Sequence, residues 1–466
     1  MTLVMPTRVL VVGGGGREHA LAWKLAAEPG VNEVVVAPGS EAMAREDRVT
    51  VRPGVDPLDP ATVVAVARQV AAELVVVGPE APLAAGVADA LRAAGFAVFG
   101  PDRAAARIEA SKAFCHEVAA SAGVRMARAR AFSDPDAAIA FARELASAGN
   151  GVVVKADGLA AGKGVTVCDG AAGAEAAIRA LASVGGARAG ARRPDAASDD
   201  APFVVVEERL QGPEASLIAL CDGRNAVALP FARDHKRLLD GDLGPNTGGM
   251  GAYSPLSDLP DEAADRLLEA FHRPILRELA RRGTPFIGAL YAGLILTADG
   301  PVLLECNARF GDPETQVLMP RLATALGPLL LAAARGDLTA AAARLQLTES
   351  RLPAFPGAVV GIVLAADGYP DAPRRGDPID GLEDAEADAL VFHAGTSTDP
   401  DGTVRTNGGR VLAVVARGAD LGEAAARANE AAERIHFVGA QRRRDIGHGA
   451  HPAAGVPVAA AVGGAR

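Results

Sequence analysis

Residues 302–315, VLLECNARFGDPET, carry the densest chemistry in the chain. Side chains on a strand alternate between faces, so Glu305, Asn307 and Arg309 point one way while Cys306 and Ala308 point the other. Two oxygen donors beside a guanidinium suit a magnesium ion, which takes a few carboxylate or carbonyl oxygens and completes its shell with water and nucleotide phosphates. The alternative is an edge strand showing polar groups to water. The apolar run Val302-Leu303-Leu304 argues against it, since unpartnered Glu and Arg in a buried strand are costly.

Residues 152–168, VVVKADGLAAGKGVTVC, are two β-rich stretches around a turn holding Gly158, Gly162 and Gly164, with Lys155 on the first stretch and Lys163 in the turn. The spacing is not that of a P-loop, because Gly158 and Gly162 are too close and Gly164 stands where a Ser or Thr binds metal. A glycine hairpin with a cation at its tip can fold over a triphosphate and exclude water. A plain hairpin with a solvated lysine is the other reading. In residues 203–216, Glu207, Glu208, Leu210 and Glu214 offer backbone groups to an adenine edge and a carboxylate to ribose hydroxyls, against the reading of ordinary solvated acids.

Asp234, His235, Lys236 and Arg237 concentrate charge before a long glycine-rich loop that includes Asn246. Such a loop is entropically expensive unless tied down, and the cluster suits a phosphorylated or zwitterionic substrate as well as it suits a solvated loop. The turn GGGGREHA, residues 13–20, presents the N-H groups of Gly15 and Gly16 and a helix start to an anion, with Arg17 as a possible donor. A dinucleotide fingerprint fails there, because Glu18 takes the third glycine position and no acid follows the second strand. A phosphate or ribose-phosphate fits better than a nicotinamide cofactor, with a ligand-free tight turn as the alternative.

These groups need elements to carry them. A strand at 9–12, the glycine turn, a helix over about 18–27, strands at 34–37, 74–77 and 97–99 and a helix near 83–93 make residues 8–107 a doubly wound α/β domain. Ligands of such sheets sit at the carboxyl ends of the strands, where the glycine turn and Gly78-Pro79-Glu80 both fall. Residues 108–330 read as α+β, with strands at 151–156, 165–168 and 203–207 and a flexible lobe over about 128–202, whose stretch 185–202 lacks periodicity. A smaller α/β unit over 331–449 holds strands at 359–365 and 411–416 and a helix near 423–435, and 450–466 read as a disordered tail.

Composition excludes several classes. With 466 residues, 49% hydrophobic and 22% charged, the chain is a folded multidomain protein. Its net charge of -10 argues against a nucleic-acid or membrane-surface binder. Cys115, Cys168, Cys221 and Cys306 are too far apart for a CxxC pair, and no apolar run reaches the roughly 18 residues of a membrane span, so cytoplasm is the expected compartment.

Taken together, GGGGREHA, GPEAPL (78–83), EASKAF (109–114), KADGLAAGKGV (155–165), DHKR, GPNTGGMGAYSP, RFGDPETQ (309–316) and TNGGR (406–410) make the chain resemble the phosphoribosylamine-glycine ligase family of ATP-grasp enzymes, from about residue 8 to 448. The resemblance implies an N-terminal pre-ATP-grasp domain, a two-lobed ATP-grasp unit and a C-terminal domain closing the cleft. It implies that Lys112, Lys155 and Glu214 contact ATP, that the loop 158–164 covers its phosphates, and that Glu305 and Asn307 hold Mg2+ or Mn2+. It further implies that the glycine turn, Glu80, the cluster at 234–237, and Arg309, Asp312 and Pro313 shape the sites for glycine and 5-phosphoribosylamine, with Arg309 and Asp234 catalytic. The chain departs from the family pattern at Gly13-Gly14, Ser40-Glu41 and Arg233.

The reaction so implied is ATP-dependent: glycine's carboxylate attacks the γ-phosphate, and the amine displaces phosphate from the glycyl phosphate. Phosphoryl transfer needs positioning and charge neutralisation more than a protein nucleophile. A monomer or weak dimer is expected. The rival readings are another ATP-grasp ligase of a different acid and amine, a nicotinamide oxidoreductase, and a non-catalytic nucleotide sensor.

Overall fold

The structure, a computed structural model, describes residues 3–159, 164–187, 201–347 and 350–448. Gly162, Lys163, most of the aperiodic stretch 185–202 and the tail 450–466 lie outside the described residues.

Runs of valine bounded by glycine build the first sheet. Its five parallel strands lie in the order Val49–Val51, Glu33–Pro38, Arg8–Gly13, Leu74–Val77 and Val98–Phe99. The strand order reverses between Arg8–Gly13 and Leu74–Val77, so the crevice for a ligand opens at the carboxyl ends of those two strands. Gly13 and Gly78 mark it. The helix expected near 83–93 is two helices, Glu80–Ala85 and Val87–Ala93, because Gly86 between them has φ +87°.

Two antiparallel sheets follow. A small one orders Ala129–Phe132, Val204–Glu208, Val152–Ala156 and Val165–Cys168, with the helices Pro135–Ser147 and Ala171–Ala187 on it and a core of its own around Phe132, Ile139, Phe141 and Val206. The other orders Ala226–Ala228, Glu214–Asp222, Ile287–Thr297 and Gly300–Asn307. The cleft between the two sheets is where Lys155 reaches the backbone of Leu304.

The segment 232–255 is not the loop its glycines suggest. Arg233–Asp234 and Gly251–Ser254 are strands of a third antiparallel sheet, beside Ala358–Ala365, Arg410–Gly418 and Leu390–His393, and Arg237–Leu239 pairs with Leu243–Asn246 as a hairpin. Glycine there serves close approach. A Cβ on Gly251 would stand 2.5 Å from the carbonyl oxygen of Gly361 on the neighbouring strand.

Helix starts follow local chemistry, with Asp59, Asp102, Ser111, Asp134 and Asp420 each accepting a backbone N-H at the first turn. The helix Glu314–Arg321 is buried on every side and packs against the helix Gly16–Ala26 and the strands Gly251–Ser254 and Ala358–Ala365. It joins three units at once. A second tie is Glu28, buried at the end of the first helix region, whose oxygens accept from Leu326 N at 2.5 Å and Gly327 N at 2.9 Å and so cap the helix Gly327–Arg335 from another unit. Glu28→Ala is expected to lower stability by about 1–3 kcal/mol, and Glu28→Gln, which keeps an acceptor, by less. Calorimetry decides it, and equal midpoints for all three proteins would exclude the cap.

Candidate active site

Lys155 and Glu207 face each other on adjacent strands of the small sheet. The Lys155 Nζ lies 2.8 Å from Glu207 Oε2 and donates to the carbonyl of Leu304 at 3.1 Å, while Glu207 Oε1 lies 2.8 Å from His116 Nε2. Burial alone would lower the Lys155 ammonium pKa, but Glu207 and Glu305 overcome it and leave it raised. Burial would likewise raise Glu207, and Lys155 with His116 bring it below its ordinary value. The Glu207 carboxylate is therefore engaged inside the protein. Glu208 turns outward to accept from Arg128 N at 2.8 Å, Leu210 follows the strand, and Glu214 is ion-paired with Lys236.

The start of the glycine loop is anchored. Ser111 Oγ and Ala113 N donate to the Asp157 carboxylate at 3.1 Å, and Lys112 Nζ donates to the carbonyl of Gly158 at 2.9 Å. Lys112 thus stands at the first turn of the helix Lys112–Ser121, directly below the loop's near edge. Gly164 returns to the sheet, its carbonyl accepting from Ala156 N at 2.7 Å.

On the facing sheet a register shift at Leu303–Glu305 leaves Leu304 as an extra residue, and its carbonyl is the one that meets Lys155. Cys306 and Ala308 are buried, while Glu305, Asn307 and Arg309 stay partly open, in the alternation expected. The strand ends at Asn307, however, and Arg309 lies past it. Its guanidinium is held 3.0 Å from Glu109 and 3.3 Å from Glu80. Burial would raise the Glu305 carboxyl, but Lys236, Lys155, Lys112 and Arg309 hold it below its ordinary value. One carboxylate is thereby surrounded by cations from four separate segments. Among the described residues no group of three or more His, Cys, Asp and Glu converges as a metal cage. A pair of oxygen donors near cations fits an ion that relies on phosphates for the rest of its shell.

A second cluster lies at the first sheet's switch point. Glu18 Oε2 accepts from Gly15 N at 2.7 Å, its Oε1 from Arg17 Nε at 2.5 Å, and Arg17 Nη1 donates to the carbonyl of Phe310 at 3.2 Å. Both side chains are buried, so Arg17 and Glu18, expected to face the ligand, instead brace the turn from within. Gly78 is required by this brace: a Cβ there would fall 2.0 Å from Glu18 Oε1. Pro79 precedes the helix that Glu80 opens. Gly15 and Gly16 approach Asp312 and Gln316 closely, at 3.6 and 2.8 Å from where their Cβ atoms would be. Asp312 pairs with Arg410 at 3.3 Å and accepts from Gln316 at 2.7 Å, and Pro313 lies beneath Gly249.

Asp234 and Lys236 border the first cluster, 3.4 Å apart, whereas Arg237 turns back to the carbonyl of Gly244 and Asn246 sits opposite it at the hairpin's open end. The departure at Arg233 is structural, because its guanidinium pairs with Asp258 at 2.9 Å and Tyr253 at 3.0 Å inside the protein. Ser40 bonds Thr396 at 2.8 Å, tying the first unit to the last.

Residues not singled out from sequence complete the site. Glu109, Glu314 and Arg410 lay inside matched strings and were legible there. Ser216 and Tyr291 were not: Ser216 Oγ donates to Glu314 Oε1 at 3.1 Å and lies 2.9 Å from the Tyr291 hydroxyl. Tyr291's only signal was a lone hydroxyl in an apolar strand.

Burial, with Asp234 adding to it, pushes the Glu314 carboxyl up from 4.5 to about 7. Such a group contributes stability that is complete below the unfolded value and lost as pH climbs through the folded one, because the unfolded chain ionises first. Between about pH 5 and about pH 8 the wild-type melting midpoint is expected to fall more than that of Glu314→Gln, whose amide does not titrate. Parallel midpoints would show Glu314 ionising like a surface acid.

Family models match nearly the whole chain: the phosphoribosylglycinamide synthetase N domain at residues 7–109, its ATP-grasp (A) domain at 110–315 and its C domain at 359–449. A phosphoribosylamine-glycine ligase of Streptomyces coelicolor is 49% identical over 94% of this chain and 98% of its own length, and one of Leifsonia xyli is 47% identical over 94% and 99%. A crystal structure of phosphoribosylamine-glycine ligase from Thermotoga maritima covers 94% of this chain and 99% of its own at 34% identity, with a TM-score of 0.73. The biotin carboxylase domain of Hydrogenobacter thermophilus 2-oxoglutarate carboxylase, solved with MgADP, shares the fold alone, at 17% identity and a TM-score of 0.66 over 94% and 92% of the two chains. Three domain models in order and identity of this depth along the chain agree with the clustered residues, and the chain belongs to the phosphoribosylglycinamide synthetase family.

Proposed function

We propose that this protein joins glycine to 5-phosphoribosylamine with ATP, giving glycinamide ribonucleotide, ADP and phosphate through a glycyl phosphate. The observation that carries the reading is the gathering of Lys112, Lys155 and Lys236 about Glu305, a set that matches the charge of a polyphosphate. Full-length relatives named for this ligation support the choice of substrates.

Lys155, held rigid by Glu207 and the Leu304 carbonyl, neutralises phosphate charge without reorganising, and Lys112 does so at the edge of the glycine loop. Glu305 and Asn307 would hold Mg2+ or Mn2+, which when bound withdraws charge from phosphate oxygens. Glycine's carboxylate lies on the Lys236 side, and the sugar phosphate on the side of Gly15, Gly16, Glu80 and Asp312. The amine reaches the acyl carbon where the two clusters meet, near Arg309, which Glu80 and Glu109 hold between them. The four cysteines are free and buried, as in a reducing cytoplasm.

ADP release measured with each substrate alone and with both tests the reaction, and dependence on both is expected. Glu305→Gln and Asn307→Ala are expected to cut turnover by about 10²–10³ with the melting midpoint little changed, as for removal of one preorganised charge partner. Wild-type turnover by both variants at low Mg2+ would refute the metal-site assignment.

A further inference from the structure

Arg443 is among the largest fully buried side chains, 1% exposed, far in sequence from the residues discussed above. Enclosing a guanidinium is strongly unfavourable unless it is paired and hydrogen-bonded. Its Nη1 lies 2.5 Å from Asp242 Oδ1 and donates to the carbonyl of Arg237 at 3.2 Å, while Nε and Nη2 meet Asp445 at 2.7 and 2.6 Å. Two backbone bonds extend the grip. Asp240 Oδ1 accepts from Arg444 N at 2.7 Å, and Asp445 Oδ2 accepts from Gly241 N at 2.8 Å. All three tip residues of the hairpin 237–246 are thus fastened to the segment 443–445.

Apolar packing holds the base of the hairpin, where Leu238 is buried against Met250 and Ala365, but not its tip, where Leu239 and Leu243 are 50% and 64% exposed. Immediately before its first strand stands Lys236, whose carbonyl accepts from Thr247 N at 2.7 Å and Thr247 Oγ1 at 2.8 Å, and whose ammonium pairs with Glu214 and Asp234 and, electrostatically, faces Glu305.

We propose that Arg443 is a positioning residue for glycine: by fastening the hairpin tip to the C-terminal segment it sets Lys236 and Asp234 at the spacing that recognises a free amino acid without a side chain. This rests on the ligase reading above. Glycine offers only one carboxylate and one ammonium, so one cation and one anion at a set separation are its natural complement. A shift of the hairpin spoils that geometry while leaving Lys155, Lys112 and the switch-point turn in place.

The test uses the full chain and three variants, Arg443→Met, Arg443→Lys and Asp242→Asn, the last two milder should the first fold poorly. Deuterium exchange of the peptide spanning 237–246 is expected to quicken in Arg443→Met while that of 152–159 does not change. The KM for glycine is expected to rise roughly tenfold to hundredfold, with those for ATP and phosphoribosylamine within about twofold, and Arg443→Lys is expected to recover part of the loss. Unchanged exchange overturns the latch. An unchanged glycine KM, or all three KM values rising together, overturns its role in recognition. A wild-type protein that does not turn over glycine sinks the ligase reading instead, and the exchange measurement still decides the latch without substrate.

Discussion

Glu305 is a single carboxylate on which Lys112, Lys155, Lys236 and Arg309 converge from separate stretches of the chain. Cations gathered this closely repel one another, and burial removes the water that would screen them. Three of them are therefore given a counter-charge, Glu207 for Lys155, Glu214 and Asp234 for Lys236, Glu109 and Glu80 for Arg309, while Lys112 donates to the carbonyl of Gly158. Holding these pairs apart and in place is the constraint from which the surrounding architecture follows, and it leaves Glu305 and Asn307 as the acceptors that no neighbouring cation bonds directly among the described residues.

That constraint explains why three sheets meet at one place. The small sheet brings Lys155, the larger antiparallel sheet brings Glu305, and the sheet it shares with the C-terminal strands brings Asp234. The helix Glu314–Arg321 stands at their junction, enclosed on all faces and in contact with the first helix of the N-terminal domain. Its opening residues, Asp312 to Gln316, touch the glycine turn on one side and Ser216 on the other. The glycine turn and the Ser216–Tyr291 pair are thus linked through one buried element, which fixes their relative position.

The alternation of 305–307 was legible in advance because strand geometry orients side chains by local rules alone, and the valine runs with their glycine stops announced the first sheet for the same reason. The direction of other side chains is set by partners far away. Arg17, Glu18 and Glu207 have the right types for a ligand site, yet Phe310, Gly15, Lys155 and His116 turn them inward. The glycines of 241–251 looked like loop entropy. Gly248 and Gly251 instead permit close approach to the C-terminal unit, and periodicity within a short segment cannot register a neighbour more than 100 residues later.

Sequence alone determined the strands of the first sheet, the family, and the residue types available for binding phosphate, metal and a zwitterion, since these depend on local periodicity, turn chemistry and long matched strings. Only the tertiary structure decided which of those residues face the cleft and which brace it, that Arg443 holds the hairpin, and that a serine and a tyrosine stand behind Glu314. The reason is physical: charge pairing and burial act between groups brought together by folding, and their strength depends on distances that no spacing along the chain encodes.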